Sequence, residues 1–169
     1  MAQEKIFDAY AYFERLGKTN KEALNEGFKT GFCSGLGGMQ DMMANFKKLE
    51  RMILIDDTTT QSTYSNGVGW FRKDVYTVFI VAGYRFDDMK DREEKLNMCR
   101  RLFRQFHSRL IHDQETMAYD DALEYLQVDS IYSTELPRYF MQGVTGLYFM
   151  VSNDEPIDLT YNGDEWEVE

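Results

Sequence analysis

The sequence predicts an α+β fold: an antiparallel sheet with a long helix packed on one face and additional N-terminal helices. Three observations predict it. Helical periodicity fills the first 50 residues, strand-like runs follow, one long amphipathic stretch begins at Asp87–Asp88, and strand-like runs return. Trp70–Phe86 carries apolar residues on both faces, as a central strand covered on two sides does. A chain of 169 residues, 43% of them apolar, is long enough to bury one real core.

Gln3–Leu16 reads as a helix, with Ile6, Tyr10, Phe13 and either Ala9 or Leu16 at spacings of three and four. Gly17 is expected to stop it. Thr19 or Asn20 caps a second helix, and Glu22 lies where a capping box from Thr19 would place it. That helix presents Leu24, Phe28 and Phe32 on one side, and Leu36 if it continues. Interior glycines, each costing about 0.8–1 kcal/mol relative to alanine, end it near Phe32. Gly35-Leu36-Gly37-Gly38 is then a turn, and Met39–Leu49 a further helix with Met39, Met42, Met43, Phe46 and Leu49 as its apolar side.

Met52–Ile55 reads as a strand that ends in Asp56-Asp57. Thr58–Gly69 is polar, with Asn66-Gly67 as a turn signal. Trp70–Phe86 reads as one long strand or as two with a bend. Tyr76, Val78, Ile80, Ala82, Tyr84 and Phe86 fall on one face, and Val75, Phe79 and Val81 on the other. A helix is expected over one of these faces and a neighbouring subunit over the other. Asp87 or Asp88 caps the long helix, which runs to about Ile111 with Leu96, Cys99, Leu102, Phe103, Phe106 and Leu110 as its buried stripe. Thr116–Leu126 reads as a short helix or an irregular segment. Val128–Leu136 and Tyr139–Val151 read as antiparallel strands joined near Pro137, with Gly143 and Gly146 marking a bulge or twist. The expected organisation is an N-terminal helical segment (1–50), an α+β core (51–152) and an acidic C-terminal arm (153–169).

Charge is unevenly placed. The net charge is −10; Asp113 onward holds 14 acidic residues and one basic residue, Arg138, whereas Lys90–Arg109 holds seven basic residues. An acidic surface repels nucleic acid and anionic membranes, and lets DNA slide past without sticking. Eleven Tyr and twelve Phe are too many for the core alone, and exposed aromatic residues favour protein contacts. Cys33 and Cys99 stand too far apart in sequence for a metal-ligand or redox motif and are expected to be reduced thiols. The N-terminus lacks the apolar stretch of a signal peptide, and the longest apolar run, Val78–Ala82, is far too short to span a bilayer.

No motif points to catalysis. Gly35–Gly38 lacks the phosphate-loop pattern and the dinucleotide-binding spacing. His107 and His112 lack the i,i+4 spacing of helix-borne metal ligands. Ser34 is not in a nucleophile elbow. Adjacent strand residues point to opposite faces, so neither Asp56-Asp57 nor Asp120-Asp121 is a carboxylate pair by itself; only assembly of Asp56, Asp88 and Asp120 in space would make a metal site. Trp70, Phe71 and Tyr84 near Arg72, Lys73 and Arg85 resemble a single-strand stacking surface only superficially, given the net negative charge. The expectation is no catalytic, cofactor-binding or metal-binding residue, and a candidate subunit interface of Trp70, Arg100, Arg101, Arg104, Arg138, Tyr148, Asp154 and Glu155.

Four stretches carry a family resemblance: Lys48–Asp57, Val75–Phe86, the long helix with Arg100, Arg101 and Phe103, and Gln142–Phe149 followed by an acidic end. Over roughly residues 45–160 the chain resembles the tail-terminator and head–tail connector (neck) proteins of tailed bacteriophages. The glycine-rich Phe28–Met43 stretch departs from the plain terminator pattern. The resemblance implies a virion structural protein without catalytic residues, assembled in the host bacterial cytoplasm. It would form a homo-oligomeric ring, a hexamer or dodecamer, against portal, connector or tail-tube proteins. DNA would pass through the lumen without sequence-specific binding. A carboxylate- or metal-dependent enzyme such as a nuclease, or a small acidic adaptor, is the alternative.

Overall fold

The computed structural model describes residues 7–35, 37 and 50–167. The helix expected over Met39–Leu49 lies outside the described residues, as do Ile6 and Leu36. The fold is α+β: a six-stranded mixed sheet with a long helix and N-terminal helices.

The first helix, α1, spans Ala9–Thr19. Asp8 is extended and its side chain accepts from Ala11 N, so α1 begins at Ala9, and Gln3 lies outside the described residues. Gly17 does not stop it. A β-carbon on Gly17 would sit 2.3 Å from Thr30 Oγ1, so the glycine lets α1 lie against the sheet. A short second helix, α2, spans Lys21–Asn25, capped by Asn20. Gly27, at φ +73, ends it, and the chain turns into strand β1, Lys29–Cys33. The expected helix through Phe32 is thus a strand: Phe28 is buried, while Leu24 and Phe32 are exposed.

Strand β1 runs parallel to β2 (Arg51–Asp56), and this pair makes the sheet mixed instead of purely antiparallel. Strand β2 continues past a break into β3 (Thr60–Ser65), and both pair antiparallel with β4 (Trp70–Gly83). Ile55 pairs with Val78 and Thr60 with Val75, so the first arm carries two extra residues across the break. The Asn66–Gly69 turn closes this hairpin, with Asn66 Oδ1 accepting from Val68 N and Gly69 N. Strand β4 is one continuous element, and β7 (Val144–Ile157) pairs with it along its whole length. The acidic arm therefore does not begin at Asn153; Asn153–Ile157 is still strand. Between the long helix and β7 lie β5 (Ala118–Asp121) and β6 (Ser133–Glu135), with β6 on the edge beside β7. The expected strand Val128–Leu136 shrinks to these three residues, and Tyr139–Gly143 is turn instead of strand.

Helix α3 spans Met89–Glu115, one turn longer than its periodicity suggested, with Asp88 as its N-cap. It packs across β4 and β7 while α1 packs on β1 and β2. Leu96, Cys99, Leu102, Phe106 and Leu110 are buried as expected; Phe103 is only half-buried, packed on Phe149 at 5.1 Å between ring centroids. The other sheet face buries Leu54, Phe79 and Val81 under Leu136, Phe140, Met141 and Val144. The chain's own 136–144 segment thus covers much of the face that a neighbouring subunit was expected to cover.

Two buried aspartates tie the helices down. Asp113, fully buried, accepts from Tyr12 Oη at 2.9 Å and pairs with Arg15 and Arg109. Burial, and then the hydrogen bond to Asp113, push the Tyr12 phenol far above its ordinary range. Asp91 accepts from Arg85 N, and this backbone bond, followed by Lys95 and Arg85, lowers its carboxyl against the opposing effect of burial. A carboxyl lowered in the folded state stabilises the fold above the unfolded pKa of about 3.9 and loses that contribution as pH falls through the folded value. Asp91→Asn is therefore expected to melt below wild type at neutral pH, with the gap closing as pH falls below about 4. Thermal denaturation of both proteins across that range checks the sign.

Candidate assembly surfaces

The candidate interface residues separate into three places. Trp70, Asp154 and Glu155 lie at the far end of the β3–β4–β7 ladder, where Trp70 pairs with Ile157 and Arg72 with Glu155. Trp70 is 49% exposed. Asp154 accepts from Tyr64 Oη at 3.0 Å, and Tyr64 stacks on Phe71. Glu155 binds Arg72 at 2.7 Å. Both carboxylates are thus engaged within the chain.

Arg100, Arg101 and Arg104 lie on α3. Arg100 binds Glu135 at 2.6 Å and Glu93 at 2.8 Å, and these bonds raise its proton affinity further. Arg101 binds Glu22 of α2 at 2.9 Å. Glu22 therefore serves this cross-helix contact in place of the expected capping box. Among the described residues, no ion pair engages Arg104. It lines an open groove of about 730 Å³ with Arg101, Arg109, His112 and Asn20. Through Arg100 and Arg101 the basic helix meets acidic residues of its own chain.

Arg138 and Tyr148 flank the sheet face opposite α3. Arg138 lies over the Tyr139 ring, which is 82% exposed. Tyr148 is half-buried against Phe79 and borders an apolar groove of about 430 Å³ with Leu136, Pro137, Phe140 and Met150.

Strand β3 was missed by the sequence reading. Every one of its residues is exposed, Thr-Gln-Ser-Thr-Tyr-Ser carries no charge, and its only partner strand among the described residues is β4. Natural edge strands are commonly protected by lysine, proline or a bulge within the strand. Strand β3 has none of these along its six residues.

The carboxylates considered for a metal site are dispersed by the fold. Asp56 Oδ1 accepts from Gly35 N and from both Thr58 N and its hydroxyl, while Asp57 accepts from Ser34 Oγ. Asp88 caps α3, and Asp120 sits in β5 at φ +55. Among the described residues no group of three His, Cys, Asp or Glu side chains is placed to hold a metal ion. Burial first, with Asp56 next, pushes the Cys33 thiol up to about 12, and burial pushes Cys99 up to about 12. Both thiols are therefore protonated and weakly nucleophilic. His107 Nε2 donates to Val128 O at 2.7 Å and its ring stacks on Phe103, a packing role.

A further cavity, about 550 Å³, opens beside the β2–β3 break between Asp8 of the α1 cap and Asp74 of β4. Tyr76 forms part of its wall; burial, and then the Asp74 charge, push its phenol up to about 12, so it stays neutral. No protein-family model matches the chain, and no match was found among curated proteins.

Proposed function

We propose that the chain is a structural subunit that assembles with copies of itself into a ring in the neck, or at the head-proximal end of the tail, of a tailed bacteriophage. It would act there as a tail terminator or connector adaptor. The observation that carries the self-assembly is β3: an uncharged edge strand, all of whose residues are exposed, beside exposed Trp70 and open to pairing with another strand. The free edges of β3 and β6 lie on opposite sides of the sheet, and heterologous contacts between two different surfaces generate rings when the rotation between copies closes. The phage placement rests on the sequence resemblance described above. In this reading the portal, connector or tail-tube proteins are the outer partners. The acidic surface lets DNA pass through the lumen without being held.

Sedimentation and native mass spectrometry test it. Wild type is expected to form one closed oligomer. Ser62→Lys with Thr63→Lys, which place charge on the open edge, is expected to leave a folded monomer with unchanged melting temperature. Wild type that remains monomeric at high concentration, both alone and with purified virion components, overturns the assembly reading.

A further inference from the structure

The positive charge of α3 is not cancelled on the side that meets α1. Among the described residues Arg101 pairs with Glu22, while Arg15 and Arg109 share the single buried carboxylate of Asp113. Arg104 belongs to none of these pairs. The groove of about 730 Å³ between α3 and the end of α1 is lined by Arg101, Arg104, Arg109 and His112, with Leu16 and Phe106 as apolar lining. Among the described residues no Asp or Glu lines it. In a chain of net charge −10 it is a local region of positive potential.

The C-terminal arm has the complementary chemistry. Asp158, Asp164, Glu165 and Glu167 carry its charge, and no lysine or arginine follows Arg138. Tyr161 is 75% exposed and Trp166 66% exposed, with their rings stacked on one another at 6.5 Å. Among the described residues every hydrogen bond of 158–167 stays within that stretch, and no ion pair engages its carboxylates. Exposed aromatic rings of this kind bury their area at protein contacts. None of the arm's residues lines the groove of its own chain. The arm leaves the sheet at Ile157, which pairs with Trp70, and Trp70 also pairs with Ser65 of β3. It therefore departs beside the open β3 edge, the place proposed above for contact with another copy. The chain as a whole repels nucleic acid, so an acidic peptide is the better match to the groove.

We propose that the acidic, aromatic arm (158–169) of one copy docks in the Arg104 groove of a neighbouring copy. Its carboxylates meet Arg104, and its rings lie over the guanidinium groups and the apolar lining. The proposal rests on the self-assembly reading, since the occupant is a second copy of this chain, and it adds a contact distinct from β3.

Fluorescence anisotropy of a labelled peptide of residues 158–169 tests it. The peptide is titrated with the full chain carrying Ser62→Lys and Thr63→Lys, whose grooves are free of neighbouring arms. Saturable binding is expected. Adding Arg104→Glu or Ser108→Glu, both on the exposed lining of the groove, is expected to weaken it about tenfold through like-charge repulsion. A peptide with Tyr161→Ala and Trp166→Ala keeps every charge and is also expected to bind more weakly. Absence of saturation up to about 1 mM chain overturns the proposal. So does unchanged affinity in the glutamate variants, or equal binding of the alanine peptide, which is the behaviour of diffuse charge. Displacement of the peptide by a single-stranded oligonucleotide but not by unlabelled peptide overturns it too and assigns the groove to nucleic acid. Sedimentation of wild type separates this contact from the β3 reading. An oligomer formed by a chain that fails to bind the peptide overturns the arm contact alone. Specific peptide binding by a chain whose wild type stays monomeric supports the arm contact and removes the β3 contact.

Discussion

Gly146→Ala is expected to unfold the protein or to cost about 4–5 kcal/mol, which is exceptional for a single methyl group. Gly146 lies in β7 opposite Val81 and has φ +148. A β-carbon there would fall 2.1 Å from Ile80 O and 2.8 Å from Val81 Cα. Both atoms belong to the backbone of the central strand, so no side chain can rotate away. Relief would require separating β4 from β7 where Ile80, Leu147 and Ala82 are fully buried. Gly143→Ala is the control. Its β-carbon would meet only Tyr84 O, at 3.4 Å, so its cost is the roughly 1–2 kcal/mol of a left-handed non-glycine residue. Urea denaturation of the two variants should therefore differ sharply in midpoint.

Phe106→Ala is expected to cost about 3–5 kcal/mol, and Phe103→Ala distinctly less, near 1–3 kcal/mol. Phe106 is 1% exposed, packed toward Phe13 beneath α3. Phe103 rests on Phe149 and His107 at the rim of the same core and keeps contact with solvent. A cavity opened at Phe106 is enclosed, whereas one at Phe103 can fill with water. Equal losses in chemical denaturation would mean that α3 is rotated about its axis relative to the orientation described.

The elements legible in the sequence are those whose own residues supply the driving force. Asp88 followed by Leu96, Cys99, Leu102, Phe106 and Leu110 carries both a start signal and a buried stripe, so α3 could be read locally. The apolar alternation of β4 likewise assigned its two faces. Strand β1 was hidden because Leu24, Phe28 and Phe32 happen to fall at helical spacing, while its real determinant is a parallel partner supplied by Met52–Asp56. Strand β3 has no apolar pattern; it exists because Trp70–Val75 returns alongside it. Val128, Ile131 and Leu136 are buried as their composition implies, but through irregular chain around β6. The ion pairs of Arg100 and Arg101 with Glu93, Glu135 and Glu22 were not legible, because sequence separation says nothing about which acidic residue lies nearby. The cavity at the β2–β3 break was invisible for a similar reason: Asp8, Asp57 and Asp74 come from three separate segments.

The β4–β7 ladder also governs the order in which the molecule is built. Its two strands pair from end to end, yet they are separated in sequence by the chain from Tyr84 to Gly143, which holds α3 and the segments after it. The hairpin of β2, β3 and β4 and the helix α3 form from local contacts, whereas the ladder must pay a long loop closure before any of its bonds are made. Until β7 arrives, the Val75–Ala82 edge of the most apolar strand is an open template. A β7 from another copy fits that template as well as its own, so strand exchange between copies is the characteristic failure of this topology when chains are crowded. Dilute, slow refolding favours the chain's own β7, and concentrated refolding favours entangled dimers.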